Sequence, residues 1–160
     1  MQTKSIKLPW LLSFLVILIL TTGCAAGKKA AERKSNAVIQ TARTYTGVPY
    51  KYGGTTRVGM DCSALLLHSF KSVNVKLPRV SADQAKTGAK VKLNDLKPGD
   101  MLFFATGKKK NQITHAGIVT SVKSKKEVRF IHASTSLGVT ESNLFSDYYI
   151  KRFKRARRVL

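Results

Sequence analysis

The sequence predicts an α+β domain, in which helices come first and an antiparallel β-sheet follows. Two observations predict this class: apolar residues recur at helical spacing in the first half of the chain, and they alternate with polar residues in the second half. Helices and strands that are segregated along a chain in this way pack as helices against a sheet. About 125 residues lie beyond the N-terminal segments, which is a normal size for one domain with one core.

Three helices are expected ahead of the sheet, at residues 37–45, 62–72 and 81–85. Asn36 is expected to be the N-cap of the first helix, and Gly47 to end it. The second helix begins at Cys62, where a glycine-bearing loop meets the apolar run Ala64-Leu65-Leu66-Leu67. Ser81 is expected to cap the third helix.

The strands of the sheet are expected after these helices. The turn signal Lys97-Pro98-Gly99-Asp100 precedes the first of them, a short buried strand. The strands are expected at residues 101–104, 114–121, 127–132 and 152–159, with a weaker one near residues 138–140. Their order along the chain predicts an antiparallel meander.

The N-terminus has the layout of a secretory signal peptide over residues 1–23. Lys4 and Lys7 precede an apolar stretch at residues 8–20, which is too short for a comfortable transmembrane span, and small residues follow it. An uncleaved signal anchor and ordinary secretion are the alternatives. In each case the chain is directed out of the cytoplasm.

The first cysteine, Cys24, follows Thr-Thr-Gly, and this arrangement resembles the lipobox of bacterial lipoproteins, in which the thiol is diacylated. Thr21 stands where that motif usually carries Leu. We expect lipidation at Cys24, a polar tether over residues 24–36 and one domain over residues 37–160. Ala25 follows Cys24, and the lack of Asp there favours an outer-membrane anchor facing the periplasm under the sorting rule of some Gram-negative bacteria. A Gram-positive membrane lipoprotein is the alternative.

The second cysteine, Cys62, is the candidate nucleophile. Backbone N–H groups and the positive end of the helix dipole at its position are expected to lower the pKa of the thiol. If Cys24 is lipidated, Cys62 is a free thiol in an oxidising compartment, which is a liability unless it is used. His115 and His132 lie in β-type runs and are the candidate bases. The alternative is that Cys62 is an inert buried residue.

The formal net charge of +21 raises the question of nucleic-acid binding. The basic residues are spread along the chain, no nucleic-acid-binding motif is recognisable, and the chain is exported, so no nucleic-acid partner is expected. An exported basic protein meets anionic lipids and wall polymers instead.

No His, Cys, Asp and Glu cluster has metal-site spacing, and no phosphate loop is present, so no metal and no cofactor are expected. His68 is expected on a different helix face from Cys62, with a surface or packing role.

Seven short elements occur in order over residues 37–159. The elements are Gly47-Val48-Pro49-Tyr50 with Tyr52-Gly53-Gly54, Gly59-Met60-Asp61-Cys62-Ser63, Leu77-Pro78-Arg79 with Ser81 and Gln84, Pro98 to Phe104, His115-Ala116-Gly117-Ile118, Phe130-Ile131-His132-Ala133, and Ala156-Arg157-Arg158. Together, and in this order, they resemble the NlpC-type cell-wall peptidases, a papain-like family of bacterial cysteine peptidases. The resemblance implies a papain-like α+β fold, with the helix that carries the nucleophile packed on the antiparallel sheet.

The resemblance also implies roles for individual residues. Cys62 would be the nucleophile, His115 the general base and then acid, and His132 the residue that orients His115. Tyr50 would lie beside the nucleophile, and its hydroxyl could help to stabilise the oxyanion; the alternative is a buried structural hydroxyl.

Two further residues flank the nucleophile. Asp61 and Ser63 would line the subsite for the substrate's free amine or for neighbouring polar groups, whereas the alternative for Asp61 is a structural N-cap. The chain departs from the family at Ala64 and Ala116, which replace Gly and Val, and the methyl group of Ala64 is expected to narrow the cleft slightly.

The substrate that the resemblance implies is the stem peptide of peptidoglycan. The bond cut would join γ-D-glutamate to a diamino acid, or would lie in a D-alanyl cross-link, and the sequence leaves this choice open. A monomer is expected. Two other functions are weighed against peptidase activity: a catalytically silent, membrane-anchored module that binds the wall, and a thiol amidase or acyltransferase that acts on lipid.

Overall fold

The computed structural model describes the backbone of residues 8–160 and the side chains of residues 26–160. The side chains of the predicted signal peptide and of Cys24 therefore lie outside the described residues. The chain divides into two units, of which the second, Lys34–Leu160, is the folded domain. Among the described residues, no helix combines the length and the apolarity that a membrane span requires.

The first helix, α1, spans Leu8–Arg43 without a break. The prediction that Asn36 caps a separate helix is therefore wrong, and the segment predicted as a tether is helical. The physical reason is composition: residues 28–34 (Lys-Lys-Ala-Ala-Glu-Arg-Lys) are all strong helix formers, so nothing ends the helix ahead of residue 37.

Three shorter helices follow, and the important one carries Cys62. They are α2 (Cys62–Lys71), α3 (Ser81–Gln84) and α4 (Asp147–Ile150), with a 3₁₀ turn at Leu93–Asp95. As predicted, α2 begins at Cys62. The side chain of Asp61 caps this start by accepting a hydrogen bond from the backbone N–H of Ala64. Ser81 does not cap α3: it is the first helical residue, and Val80 precedes it without a side-chain cap.

Within residues 8–160, eight strands form two sheets. A two-stranded ribbon, which the sequence did not predict, pairs β1 (Thr55–Thr56) with β2 (Gly59–Met60). The other strands are β3 (Ala89–Val91), β4 (Met101–Phe104), β5 (His115–Ser124), β6 (Glu127–Ser134), β7 (Gly138–Asn143) and β8 (Phe153–Arg158). They form one antiparallel sheet in the order β3-β8-β4-β5-β6-β7.

The meander prediction holds only for β4 to β7. The last strand, β8, returns across the sheet to pair with β4 on one side and with β3 on the other. Both β4 and β5 are consequently interior strands, and their alternate side chains enter two separate apolar clusters. Met101 and Phe103 pack in the cluster that includes α2, whereas Leu102 and Phe104 pack in the cluster on the opposite face.

Gly117 allows β5 and β6 to approach each other closely beside the histidines. A Cβ at this position would lie 2.9 Å from the carbonyl oxygen of Ile131 and would also press on the ring of Phe130. We expect Gly117→Ala to lower the free energy of unfolding by about 1–3 kcal/mol, because it overpacks a filled core. Urea unfolding measures this change. Gly107→Ala is the matched control, since its Cβ would make an ordinary contact at 3.4 Å with Thr114; an equal loss in both variants would contradict the prediction.

Candidate active site

The sulfur of Cys62 lies where the start of α2 meets the start of β5. The backbone N–H groups of Ala116, Ser63 and Cys62 itself lie near enough to the sulfur to lower the pKa of the thiol. The residue is only 5% exposed. The first residue of β5 is His115, so the proximity of the Ala116 N–H places the thiol beside the start of the strand that carries the candidate base. This confirms the predicted position of the cysteine at a helix start, with backbone donors directed at it.

The expected lowering of the thiol pKa is wrong. Burial, together with the smaller effect of the nearby Asp61 carboxylate, raises the pKa of Cys62 to about 11, although the three backbone N–H groups act in the opposite direction. The loss of water around the thiolate outweighs the backbone donors because the sulfur is almost fully enclosed. The cysteine therefore rests as a neutral thiol.

The two candidate bases contact each other directly. Nε2 of His115 and Nδ1 of His132 are 3.0 Å apart. Burial lowers the pKa of His115 to about 4; burial, and then the charge of His115, lowers the pKa of His132 to about 3. Both imidazoles are therefore neutral at neutral pH. Since Nε2 of His115 is engaged with His132, Nδ1 is the nitrogen left to take a proton from the thiol.

Two residues that the sequence did not single out continue this chain of hydrogen bonds. Nε2 of His132 lies 3.0 Å from Oγ of Ser142 and 3.1 Å from Oη of Tyr149. The ring of His132 also stacks on Phe130, with 4.9 Å between the ring centroids. Ser142 lies in the part of β7 that the sequence did not predict as a strand, and Tyr149 lies in the unpredicted helix α4.

This arrangement selects the tautomers that base catalysis requires. If His115 is to accept a proton on Nδ1, its Nε2–H donates to Nδ1 of His132. His132 then carries its own proton on Nε2 and donates it to a hydroxyl, and Ser142 and Tyr149 both present one. The hydroxyls thus allow His132 to act as an acceptor and to hold the ring of His115 in place.

Asp61 and Ser63 are engaged within the protein. The two oxygens of Asp61 accept hydrogen bonds from the side chains of Ser63 and Arg79 and from the backbone N–H groups of Ala64 and Gly53. Arg79 donates to both carboxylate oxygens, at 3.0 Å and 2.7 Å, and to Oγ of Ser63 at 2.7 Å. The hydrogen bonds with Arg79, Ala64 and Ser63 lower the pKa of Asp61 even though burial opposes them.

A cleft of about 490 Å³ opens beside the sulfur. Its lining consists of Tyr50, Tyr52, Gly53, Asp61, Cys62, Ser63, Arg79, Val80, Ser81, Ala82, Gln112, Ile113 and Thr114. Tyr50 borders the nucleophile as expected: burial raises the pKa of its hydroxyl, as do the charges of Cys62 and Asp61. All three predicted substrate-contacting residues thus face one cleft with the candidate nucleophile.

Two smaller expectations concern α2. Ala64 is fully buried in the core and does not line the cleft, so the expectation that its methyl group narrows the cleft is wrong. His68 has the packing role predicted for it, because its Nε2 lies 2.9 Å from the carbonyl oxygen of Thr55 and its ring lies against Tyr45. No group of three metal-ligating side chains occurs among the described residues.

Comparison with known proteins identifies one family. The model of the NlpC/P60 family matches residues 47–158. The "Probable endopeptidase NlpC" of Escherichia coli (strain K12) is 36% identical over 154 residues, which covers 91% of this chain and 96% of the relative. The "Murein DD-endopeptidase MepS/Murein LD-carboxypeptidase" of the same strain is 36% identical over 117 residues, covering 72% of this chain and 58% of the relative.

A solved structure agrees with these relatives. The crystal structure of an NlpC/P60 family protein from Bacillus cereus superposes with a TM-score of 0.70 at 29% sequence identity. The match covers 78% of this chain and 39% of the solved chain. The chain thus spans about two fifths of the length of that solved protein.

Acid pH should destabilise the fold through the two buried histidines. Their folded-state pKa values are about 4 and about 3, below the unfolded value of about 6.5, so the unfolded chain binds more protons between these limits. The contribution of the two neutral histidines to the free energy of unfolding is complete above pH about 6.5 and is lost as pH falls toward about 3. Urea unfolding at a series of pH values should show a smaller acid loss in His132→Asn than in the unsubstituted protein, since one of the two groups is removed. His68→Asn is the control, and equal acid losses in all three proteins would contradict neutral burial of the pair.

Proposed function

The chain belongs to the NlpC/P60 family, and we propose that it is a cysteine peptidase that hydrolyses peptide bonds in the stem peptides or cross-links of peptidoglycan. The observation that carries this proposal is the alignment of three groups. The backbone N–H of Ala116, the residue after His115, lies near the sulfur of Cys62, and His115 is hydrogen-bonded to His132. The names of the relatives, which are endopeptidases and a murein hydrolase, supply the reaction class and the substrate class.

The reaction starts with transfer of the thiol proton. Nδ1 of His115 takes the proton from Cys62 as the sulfur attacks the peptide carbonyl, and the charges on sulfur and imidazole stabilise each other in an enclosed site. His132 stays neutral and accepts the Nε2–H of His115, which stabilises the imidazolium that forms. The carbonyl oxygen becomes negative, and the free N–H groups at the start of α2 together with the hydroxyl of Tyr50 are suited to stabilise it.

The second half of the reaction releases both products. His115 returns its proton to the leaving amine, and the carbonyl carbon remains bonded to sulfur as a thioester. Water then loses a proton to His115 and attacks the thioester. The C–S bond breaks, His115 returns that proton to the departing sulfur of Cys62, and the carboxylic acid product ionises in solvent.

The three catalytic side chains should respond differently to substitution. We expect Cys62→Ala and His115→Ala each to abolish cleavage, and the double variant to be no worse than either, because residues that act as a unit are not additive. His132→Ala should leave a measurable rate, since it acts only by orienting His115. Mass spectrometry of defined muropeptides after digestion measures both the rate and the bond cut.

His68→Ala is the control, as His68 lies in the same helix as Cys62 but outside the cleft. Substantial cleavage by Cys62→Ala would overturn the peptidase mechanism. Binding of sacculi without any cleavage would favour the silent wall-binding module, and release of a lipid product would favour the amidase or acyltransferase. A requirement for His132 but not for His115 would mean that their roles are exchanged.

The N-terminal anchor is a second part of the proposal. The sequence around Cys24 supports a lipoprotein whose domain acts at a membrane surface, and the absence of Asp at position 25 supports the outer membrane with the domain facing the periplasm. Two or three acyl chains would hold the protein firmly, since a single chain gives only marginal binding. We propose that the domain works as a monomer on peptidoglycan within reach of this anchor.

Cys24→Ser should abolish lipid attachment and move the protein out of the membrane fraction. Incorporation of a fatty-acid probe, followed by fractionation of the envelope, measures both effects. Cys62→Ser is the matched control, because it removes the other cysteine and should leave labelling unchanged. Label that persists in Cys24→Ser would place the lipid on another residue.

A further inference from the structure

Arg79 forms a bidentate ion pair with Asp61 inside the cleft. Its Nη1 and Nη2 donate to the two carboxylate oxygens, and Nη1 also donates to Oγ of Ser63. The side chain of Asp61 is 10% exposed, whereas that of Arg79 is 39% exposed. The arginine therefore lies between the carboxylate and the space that a substrate would occupy.

The carboxylate of Asp61 has no capacity left for a substrate amine. Oδ1 accepts hydrogen bonds from Ser63, Ala64 and Arg79, and Oδ2 accepts from Gly53 and Arg79. Five donors thus meet a group that offers about four lone-pair positions. A cationic substrate group would have to displace Arg79, and the guanidinium would have to leave its best partner.

Arg79 itself has donors to spare. Three of its five N–H bonds are engaged in the contacts with Asp61 and Ser63, which leaves Nε–H and one Nη2–H. No partner for these two bonds occurs among the described residues. The guanidinium lines the cleft, and the charged side chains of that lining are only Arg79 and Asp61.

We propose that Arg79 is a specificity-determining residue, which closes this subsite to a free amine and receives a carboxylate of the substrate. The proposal rests on the proposed function. A γ-linked glutamate keeps its α-carboxylate free, so stem peptides supply such a group close to their scissile bonds. A planar guanidinium that is held in place by Asp61 can bind that carboxylate with two charge-assisted hydrogen bonds.

The experiment compares two synthetic peptides with the full chain purified in detergent. The peptides are identical except that the γ-linked D-glutamate carries an α-carboxylate in one and an α-carboxamide in the other. We expect the unsubstituted protein to prefer the carboxylate peptide by about tenfold or more in kcat/KM, mainly through KM, because hydrogen bonds between charged groups are lost with the amide. Arg79→Gln should bring the ratio of kcat/KM for the two peptides close to one. Arg79→Lys should retain part of the preference, since lysine keeps the positive charge but cannot donate two parallel hydrogen bonds as a guanidinium does.

A gain of function separates this role from simple support of Asp61. In Arg79→Gln the carboxylate loses its cationic partner, so a peptide with a free N-terminal amine should be cleaved faster relative to its N-acetylated form than it is by the unsubstituted protein. Arg158→Gln is the matched control. Arg158 forms a similar bidentate pair with buried Asp100, away from the cleft, so its loss should lower stability without changing either ratio.

The outcomes separate the two proposals. If the unsubstituted protein cleaves both peptides but Arg79→Gln slows both equally and leaves both ratios unchanged, Arg79 only supports Asp61, and this inference falls while the peptidase function stands. If the unsubstituted protein cleaves neither peptide nor intact sacculi, the peptidase function falls and this inference with it.

Discussion

The carboxylate of Asp61 is the constraint on which the rest of the site depends. It caps α2 through Ala64, holds the preceding loop through the N–H of Gly53 and binds Arg79 from the segment ahead of α3. Three separate pieces of chain are thereby tied together at the residue that precedes Cys62. A carboxylate suits this position because its two oxygens accept only, and they take five hydrogen bonds, two of them from a guanidinium. The position of the sulfur follows from this arrangement.

Burial sets the chemistry of the catalytic groups. The same enclosure that raises the pKa of Cys62 lowers the pKa values of His115 and His132, so all three rest in their neutral forms. The free thiol of Cys62 is protected in this state, because oxidants and metals react with the thiolate. The charge separation that catalysis needs arises only when the proton passes from sulfur to imidazole. Once the sulfur is negative, the backbone N–H groups around it stabilise that charge without having to reorient.

The sheet order brings the histidines together and supports them. Strands β4 to β6 lie in the interior of the sheet, between β8 and β7, and aromatic rings pack against the histidines that β5 and β6 carry. Phe130 stacks on His132, and Phe104 lies against both Phe130 and His115. This packing fixes the orientation of two rings that would otherwise rotate, which is what an orienting residue must provide.

The sequence by itself determined the class of fold, the start of α2, the strands β4 to β6 and the identity of the three catalytic candidates, because each depends on local patterning: apolar spacing, a capping carboxylate before a helix, and histidines within alternating strands. Only the tertiary structure decided the place of β8, the partners Ser142 and Tyr149, and the pairing of Arg79 with Asp61. Strand order and ion pairs join residues that are distant in sequence, and no local pattern encodes which of many similar strands or charges will meet. The tertiary structure also decided the direction of the Cys62 pKa shift. That direction depends mainly on how completely the folded chain excludes water from the sulfur.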